Sequence, residues 1–403
     1  MRTSLVVFAL AAALPVAAQV GAPANGAQLV ASHRGASAYA PEHTRFAYDL
    51  AIEQDTDLLE CDVILTKDEV PVCIHDETID RTANGPTGRV DSYTLEEMRQ
   101  FDFGSWFNTQ NPTLAKPEYV GAKILAFEEQ LDCYLRLNPK LRFYPETKIS
   151  AGGRAEEILH QMLVRKGLID TGDPMSRVQT ATVVLQSFDA GSLEKMRSLN
   201  SSIPTGFLYS APTSAAIAQY QTSGTGPAYI DFFIPNSAAI LADPSVVQRY
   251  HANGHDVHTW TVNDSNQMDL LLTYGVDGIF TNNSDVLRAR IDAKGTGTTK
   301  EARNNPANFK RGCEGIAGRV KSKDGPGDVW EPTGLRGVRM KSAAGGSTPP
   351  TTAPVPVIGD VPGGNAAPPA GEGRLGGSLS GVLLGVFGVA LAARRKFRRE
   401  SLR

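Results

Sequence analysis

Eight short runs rich in β-branched and apolar residues, at positions 29–32, 58–65, 142–147, 182–187, 204–209, 229–234, 257–262 and 278–281, limit the fold of this chain more than any other feature. Most of them are separated by stretches with apolar residues every three or four positions, at 46–54, 128–136, 155–165, 191–199, 244–252 and 265–274. Asp189 and Asp264 stand where helix N-caps belong, and Gly254 and Gly275 where a left-handed residue would end a helix. Strands that alternate with helices imply a parallel sheet, and eight of them over this length imply a closed (β/α)8 TIM barrel. No glycine-rich dinucleotide fingerprint follows the first strand, which argues against an open doubly wound sheet. One interval breaks the rhythm. After the second run come a Lys67-Asp68-Glu69 turn, a strand-like run at 70–75 and a glycine-rich, aromatic segment in which Thr94 and Glu97 have capping-box spacing. This is expected to be a small subdomain inserted after strand two, at about 67–127.

The two ends carry export signals rather than core. Residues 1–18 combine a basic start, an apolar run and small residues before Gln19, the pattern of a secretory signal peptide. Residues 19–28 then form a short linker to the barrel at 29–297. An irregular extension covers 298–346, and 347–374 is a Pro/Thr/Gly-rich linker that cannot bury a core. Residues 375–393 are uncharged and mostly small or apolar, just long enough at ~1.5 Å per residue to span ~30 Å of hydrocarbon. The basic tail 394–403 would lie on the cytoplasmic side. Gly376-Gly377, an apolar span and terminal arginines together resemble the bacterial Gly-Gly sorting signals cut by rhomboid-type proteases. The resemblance implies a temporary membrane anchor in a bacterial envelope, with release or surface retention after cleavage; a permanent single span is the other reading. With 40 basic against 43 acidic residues, the chain has no cationic surplus for a nucleic-acid partner.

Polar side chains gather where such a barrel keeps its chemistry, at the C-terminal ends of strands. His33 and Arg34 follow the first run, Glu60 and Asp62 lie on the second, Glu146 and Lys148 end the third, Gln186 and Ser187 the fourth, and Trp260 and Asn263 the seventh. The period of two puts Glu60 and Asp62 on one face of their strand, with Leu59, Cys61, Val63 and Leu65 on the other. Two adjacent carboxylates on a buried face need a cation or strong donors. Read from charge balance alone, Arg34 and Lys148 would also serve, with no metal.

Taken in order, His33-Arg34-Gly35, Pro41-Glu42-x-Thr44, Glu60-x-Asp62-Val63, Thr66-Lys67-Asp68, Pro71-Val72-x-x-His75-Asp76, Arg81-Thr82, Glu146-x-Lys148, Gln186-Ser187-Phe188, Trp260-Thr261-Val262-Asn263 and Gly275 to Thr281 resemble the glycerophosphodiester phosphodiesterase family. The resemblance covers about residues 31–286. It implies a (β/α)8 barrel with an insertion after strand two, and hydrolysis of a glycerophosphodiester to sn-glycerol 3-phosphate and an alcohol. It implies further that Glu60, Asp62 and Glu146 bind one divalent cation and that His33 and His75 are general acid and base. Arg34 and Lys148 would hold the phosphate, with Glu42, Gln186 and Trp260 completing the substrate pocket. Three carboxylates are an oxygen donor set suited to Ca2+ or Mg2+. Rival readings are a phospholipase-D-like or phospholipase-C-like activity on (lyso)phospholipids, and a non-catalytic surface binding module.

The chain departs from the family pattern at His43, where Asn is common, at Glu69 in place of a turn Gly, at Ala83 in place of a Thr and at Asn282 in place of an Asp. His43, His160, His251, His255 and His258 are read as structural or surface residues, although His43 lies near the entrance to the site. Of the four cysteines, Cys61 and Cys133 are read as small buried hydrophobes, Cys61 and Cys73 fit no zinc motif, and Cys313 falls in the irregular extension.

Overall fold

The computed structural model describes residues 23, 26–148, 151–169, 174, 177–199, 202–210 and 214–299. Strands β1 (Leu29–Ser32), β2 (Leu58–Leu65), β3 (Pro71–Cys73), β4 (Arg142–Thr147), β5 (Leu185–Ser187), β6 (Thr205–Tyr209), β7 (Phe232–Pro235), β8 (His258–Thr259) and β9 (Gly278–Thr281) form one sheet. Without β3 its order is β7-β6-β5-β4-β2-β1-β9-β8, with every neighbouring pair parallel. Parallel bridges from Phe233 to Val257 and from Asn236 to Trp260 bring β7 back to β8, and the sheet closes as a (β/α)8 barrel. Four of the expected runs match their strands to the residue. Run 257–262 shortens to the two residues of β8, with Val257 and Trp260 joining β7 only through the isolated bridges on either side.

The period of two sorts these strands into an inner and an outer face. Leu29, Ala31, Leu58, Tyr144, Val184, Phe232 and Phe280 pack together inside the barrel. Val30, Leu59, Cys61, Val63, Phe143 and Leu185 face the helical layer. Glu60 and Asp62 share the phase of Leu58, Glu146 that of Tyr144, and Gln186 that of Val184, so all four continue the inner face toward the C-terminal mouth.

The helices are α1 (Arg45–Glu53), α2 (Leu95–Met98), α3 (Ser105–Gln110), α4 (Phe127–Leu137), α5 (Arg154–Arg165), α6 (Ala190–Ser198), α7 (Ala215–Ser223), α8 (Ser237–Ala242), α9 (Ser245–His251), α10 (Ser265–Tyr274) and α11 (Ser284–Lys294). Asp189 and Asp264 accept backbone N–H groups as N-caps, and Gly275 ends α10 at φ 88°. Helices α7, α8 and α11 lie outside the expected stretches. α7 buries no side chain, and α11 anchors on Leu287 and Ile291 within a mostly polar sequence, so neither shows a broad apolar stripe.

The segment after β2 folds back as a hairpin. β3 pairs antiparallel with β2, and Ile64, Val72, Ile74, Ile79, Val90, Met98, Phe103 and Ile124 form a satellite core beside the barrel. The capping box at Thr94 and Glu97 is present. The hairpin also corrects the cysteine reading. With Val63 opposite Cys73, Cys61 is the diagonal neighbour of Cys73 on the outer face, at a Cα–Cα distance of 5.5 Å, and the two form a disulfide. Cys133 is disulfide-bonded as well. Neither Cys61 nor Cys133 is the lone buried hydrophobe expected from sequence. Among the described residues no helix is long and apolar enough to cross a membrane. The signal peptide 1–18, nearly all of the extension 298–346, the linker 347–374, the segment 375–393 and the tail 394–403 lie outside the described residues.

Candidate active site and metal centre

Two adjacent strands bring the carboxylates together, and a third adds an amide beside them. Asp62 on β2 pairs in register with Glu146 on β4, and Glu146 with Gln186 on β5, so their side chains emerge side by side from the inner face. Glu60 sits one inward position below Asp62. One oxygen from each of Glu60, Asp62 and Glu146 lies within 4.8 Å of the other two, and all three residues are buried.

Three buried carboxylates cannot all stay charged without a counter-charge. Burial and the neighbouring Asp62 charge raise Glu60 well above the usual carboxylate range and push Glu146 up to about 8. Asp62 moves the other way. Its burial opposes ionisation, but the hydrogen bond from His43 and the charges of Arg34 and Lys148 outweigh it and hold Asp62 well below the usual range. Beside them, Gln186 Oε1 is buried with no hydrogen-bond partner among the described residues. Clustered oxygens carrying more potential negative charge than their surroundings satisfy, with an orphaned acceptor alongside, fit a hard divalent cation.

Basic groups rim the cluster. Arg34 follows β1 in a left-handed conformation (φ 60°) that turns its N–H onto Glu60 Oε2 at 2.6 Å. Its guanidinium Nε lies 3.2 Å from Asp62 Oδ2, and Nη1 lies 3.1 Å from Glu42 Oε1. Lys148 Nζ is 3.0 Å from Glu146 Oε1 and 3.6 Å from Asp62 Oδ1.

The two histidines have different partners. His33 Nδ1 lies 2.7 Å from Asn282 Oδ1, and burial together with the Arg34 charge lowers the ring to about 3. His75 Nδ1 lies 2.6 Å from Asp76 Oδ1; burial lowers it too, while Asp76 opposes the shift. An amide oxygen and a carboxylate both accept, so each ring carries its proton on Nδ1 and turns Nε2 outward.

Glu42 is fully engaged. Arg81 bonds both of its oxygens, at 2.9 and 2.7 Å, while also holding Asp76 at 2.6 Å. Burial opposes its charge, but Arg81 and Arg34 bring its carboxyl down to about 2. Arg81 thus joins His75 and Asp76 in the inserted segment to Arg34 in the barrel, a role its place in the motif series did not specify. Trp260 donates its indole N–H to Ile234 O and meets Phe188 edge to face at 5.1 Å; Phe188 is 42% exposed, with Lys148 Nζ 5.9 Å above its ring.

Sequence reasoning set His43 aside, yet its Nε2 lies 2.8 Å from Asp62 Oδ2. The available signal was its departure from Asn: its φ of 57° is the left-handed region that Asn tolerates best. His258 is placed as expected, in the barrel core with Nδ1 2.9 Å from Tyr144 Oη, and His251 and His255 bond to Asp277 Oδ2 and Asp231 O.

Residues 33–286 match the glycerophosphoryl diester phosphodiesterase family. The chain is similar to a glycerophosphodiester phosphodiesterase of Bacillus subtilis, 36% identical over 267 residues that cover 64% of this chain and 84% of that one. It is also similar to a probable glycerophosphodiester phosphodiesterase 1 of Mycobacterium tuberculosis, 32% identical over 68% of this chain and 97% of the relative. Among solved structures, a phosphodiesterase of Oleispira antarctica in complex with the product sn-glycerol-3-phosphate has the same fold. Its TM-score is 0.54 and its identity 24%, over 66% of this chain and 97% of that one. A putative glycerophosphoryl diester phosphodiesterase of Silicibacter pomeroyi aligns at TM-score 0.57 and 22% identity, over 68% and 96%.

Proposed function

Because the chain belongs to the glycerophosphoryl diester phosphodiesterase family, we propose that it hydrolyses a small glycerophosphodiester to sn-glycerol 3-phosphate and an alcohol by metal-assisted general acid–base catalysis. The observation that carries the reading is the convergence of Glu60, Asp62 and Glu146 within 4.8 Å, beside an arginine and a lysine, with the charge of Asp62 acting on both histidines. Glu60, Asp62 and Glu146 would hold one Ca2+ or Mg2+ ion, whose chemistry is to neutralise charge gathering on the phosphoryl oxygens. Arg34 and Lys148 bind the same oxygens from the rim and fix the diester's orientation. Gln186 offers its unpartnered oxygen, and Trp260 with Phe188 forms an apolar wall.

His33 and His75 divide the proton work. With its proton on Nδ1 and no carboxylate partner, His33 stays neutral and takes the proton of the nucleophile at Nε2. The nucleophile is water, or the glycerol hydroxyl beside the phosphate; in the second case the first displacement gives a cyclic glycerophosphodiester, which water then opens to sn-glycerol 3-phosphate. As the nucleophile's oxygen bonds to phosphorus, the bond from phosphorus to the leaving oxygen breaks. His75, whose imidazolium Asp76 stabilises, gives that oxygen a proton. Glu42 and Arg81 hold Arg34 and Asp76 in place.

The exposed ring of Phe188 favours a second reading, in which the alcohol carries an apolar group as in a lysophospholipid. Export to an oxidising compartment belongs to the proposal and is supported by the Cys61–Cys73 disulfide, the disulfide-bonded Cys133 and the leader-like N-terminus. The sorting-type C-terminal segment is proposed as its membrane attachment.

The test is release of glycerol 3-phosphate from glycerophosphocholine by the purified protein, with Ca2+, with Mg2+ and with chelator, beside His33→Ala and Glu60→Ala. Metal-dependent release that both substitutions abolish is expected. A folded protein that releases nothing under either metal would remove the glycerophosphodiester reading and shift the assay to lysophospholipids.

A further inference from the structure

Asp62 is the most heavily bonded of the three carboxylates, and its two oxygens are treated differently. Oδ2 takes His43 Nε2 at 2.8 Å and faces Arg34 Nε at 3.2 Å; Oδ1 has Lys148 Nζ at 3.6 Å. On its far side His43 Nδ1 lies 2.8 Å from the Tyr48 hydroxyl. The proton on Nε2 follows from chemistry. A carboxylate only accepts, so Nε2–H donates to Asp62, while the Tyr48 hydroxyl pairs with Nδ1 on the other side of the ring. Both ring nitrogens of His43 are thus engaged along the line from Tyr48 to Asp62.

Resting on the metal reading of Glu60, Asp62 and Glu146, we propose that His43 and Tyr48 are positioning residues for the cation site: they fix Asp62 Oδ2 and leave Oδ1 as the oxygen Asp62 offers to the ion. The line is built rather than incidental. His43 is 4% exposed and Tyr48 fully buried, so water does not substitute for either hydrogen bond. The His43 backbone is itself fixed, its N–H donating to Arg34 O at 3.1 Å, so the loop that orients Asp62 also carries the phosphate-binding arginine. Tyr48 lies on α1 and packs edge to face on Tyr134 of α4, which ties the orientation of a lumenal carboxylate to the outer helical layer. A ligand free to rotate loses pre-organisation, and removal of such outer partners typically weakens metal binding by about 10- to 100-fold.

The experiment is calorimetric titration of the purified, metal-stripped full chain with Ca2+ and with Mg2+, beside Tyr48→Phe, His43→Leu and His43→Gln. Leu and Gln impose similar backbone strain at φ 57° and have comparable size, but Gln alone keeps an N–H at the reach of Nε2. Expected are an affinity about 10-fold weaker or worse in His43→Leu, several-fold weaker in Tyr48→Phe, and within about threefold of the parent in His43→Gln. Parental affinity in both Tyr48→Phe and His43→Leu overturns the proposal while leaving the metal site standing. Equal loss in His43→Gln and His43→Leu overturns it also, because the hydrogen bond would not be what matters. A parent that binds neither ion removes the metal reading and this inference with it.

Discussion

The barrel is laddered unevenly around its circumference. Between β2 and β4 six consecutive residues pair in register, from Leu58 with Arg142 to Val63 with Thr147. On the opposite side β7 and β8 meet, among the described residues, at two isolated bridges. The groups that must converge within ångströms of one another stand on the continuous side: Glu60, Asp62, Glu146 and, after β1, Arg34. Trp260, whose proposed task is to wall the pocket, stands where the ring closes loosely. Convergent charges need rigid support because small displacements undo their mutual geometry, whereas an apolar wall tolerates them.

Substituting the two sides separately breaks this comparison most directly. Asp62→Ala is expected to lower kcat/KM by about 1,000-fold or more, since it removes a proposed cation ligand and the anchor of Arg34, Lys148 and His43 at once. Trp260→Phe keeps a ring but loses the indole bond to Ile234 O, and is expected to raise KM by about threefold with kcat nearly unchanged. Steady-state kinetics on both variants decide it; a kcat defect in Trp260→Phe of the Asp62→Ala size would show that both sides carry the chemistry.

The continuous side also holds the Cys61–Cys73 bridge, directly behind the inward carboxylates. Cys61 lies between Glu60 and Asp62, and Cys73 two residues before His75. Removal of both cysteines as Cys61→Ala/Cys73→Ala should cost about 2–4 kcal/mol of stability. Its effect on kcat should exceed that of any equally destabilising change at α7, which buries no side chain. Chemical denaturation with parallel turnover measurements separates the two contributions.

Protons sharpen the comparison next. Glu146 has its carboxyl raised to about 8 in the fold by burial and by Asp62, against about 4.5 in an unfolded chain. Between those values the metal-free fold binds more protons than the unfolded chain, so this group's stabilising contribution is present at low pH and is lost as pH rises through about 8. A bound cation replaces those protons, so saturating Ca2+ should stabilise more at pH 9 than at pH 6. Melting temperatures across pH, with chelator and with Ca2+, test the sign; a Ca2+ effect that shrinks as pH rises would contradict it.

Much of this was readable from sequence wherever a single pattern determined the answer. β1, β2, β4 and β9 keep the expected bounds because β-branched, apolar runs between turn signals have few other uses in a parallel sheet. The inward carboxylates followed from the period of two. What escaped depends on relations between segments. The disulfide requires the hairpin that pairs β3 with β2 and makes Cys61 and Cys73 diagonal neighbours, and α11 requires a docking surface for Leu287 and Ile291. His43 escaped because its residue type departs from the family, although its left-handed backbone retains the place an Asn would take.

Asn282 is the departure whose effect should be smallest and most specific. Its Oδ1 accepts from His33 Nδ1, and as an amide it adds no charge to offset the burial and the Arg34 repulsion that hold His33 near 3. Asn282→Asp puts a carboxylate at 2.7 Å from that ring, which favours the imidazolium and should raise the His33 titration by about 1–3 units. The sign for stability follows. In the parent the ring stays neutral while the unfolded chain protonates below about 6.5, so His33 destabilises the fold as pH falls from 6.5 toward 3. In Asn282→Asp that acid-side loss should be smaller. His75, already paired with Asp76, should titrate as before. NMR titration of the two rings reads the outcome directly: movement of His33 alone supports the division into a neutral base and a carboxylate-paired acid, and an unmoved His33 would mean that Asn282 does not control its proton.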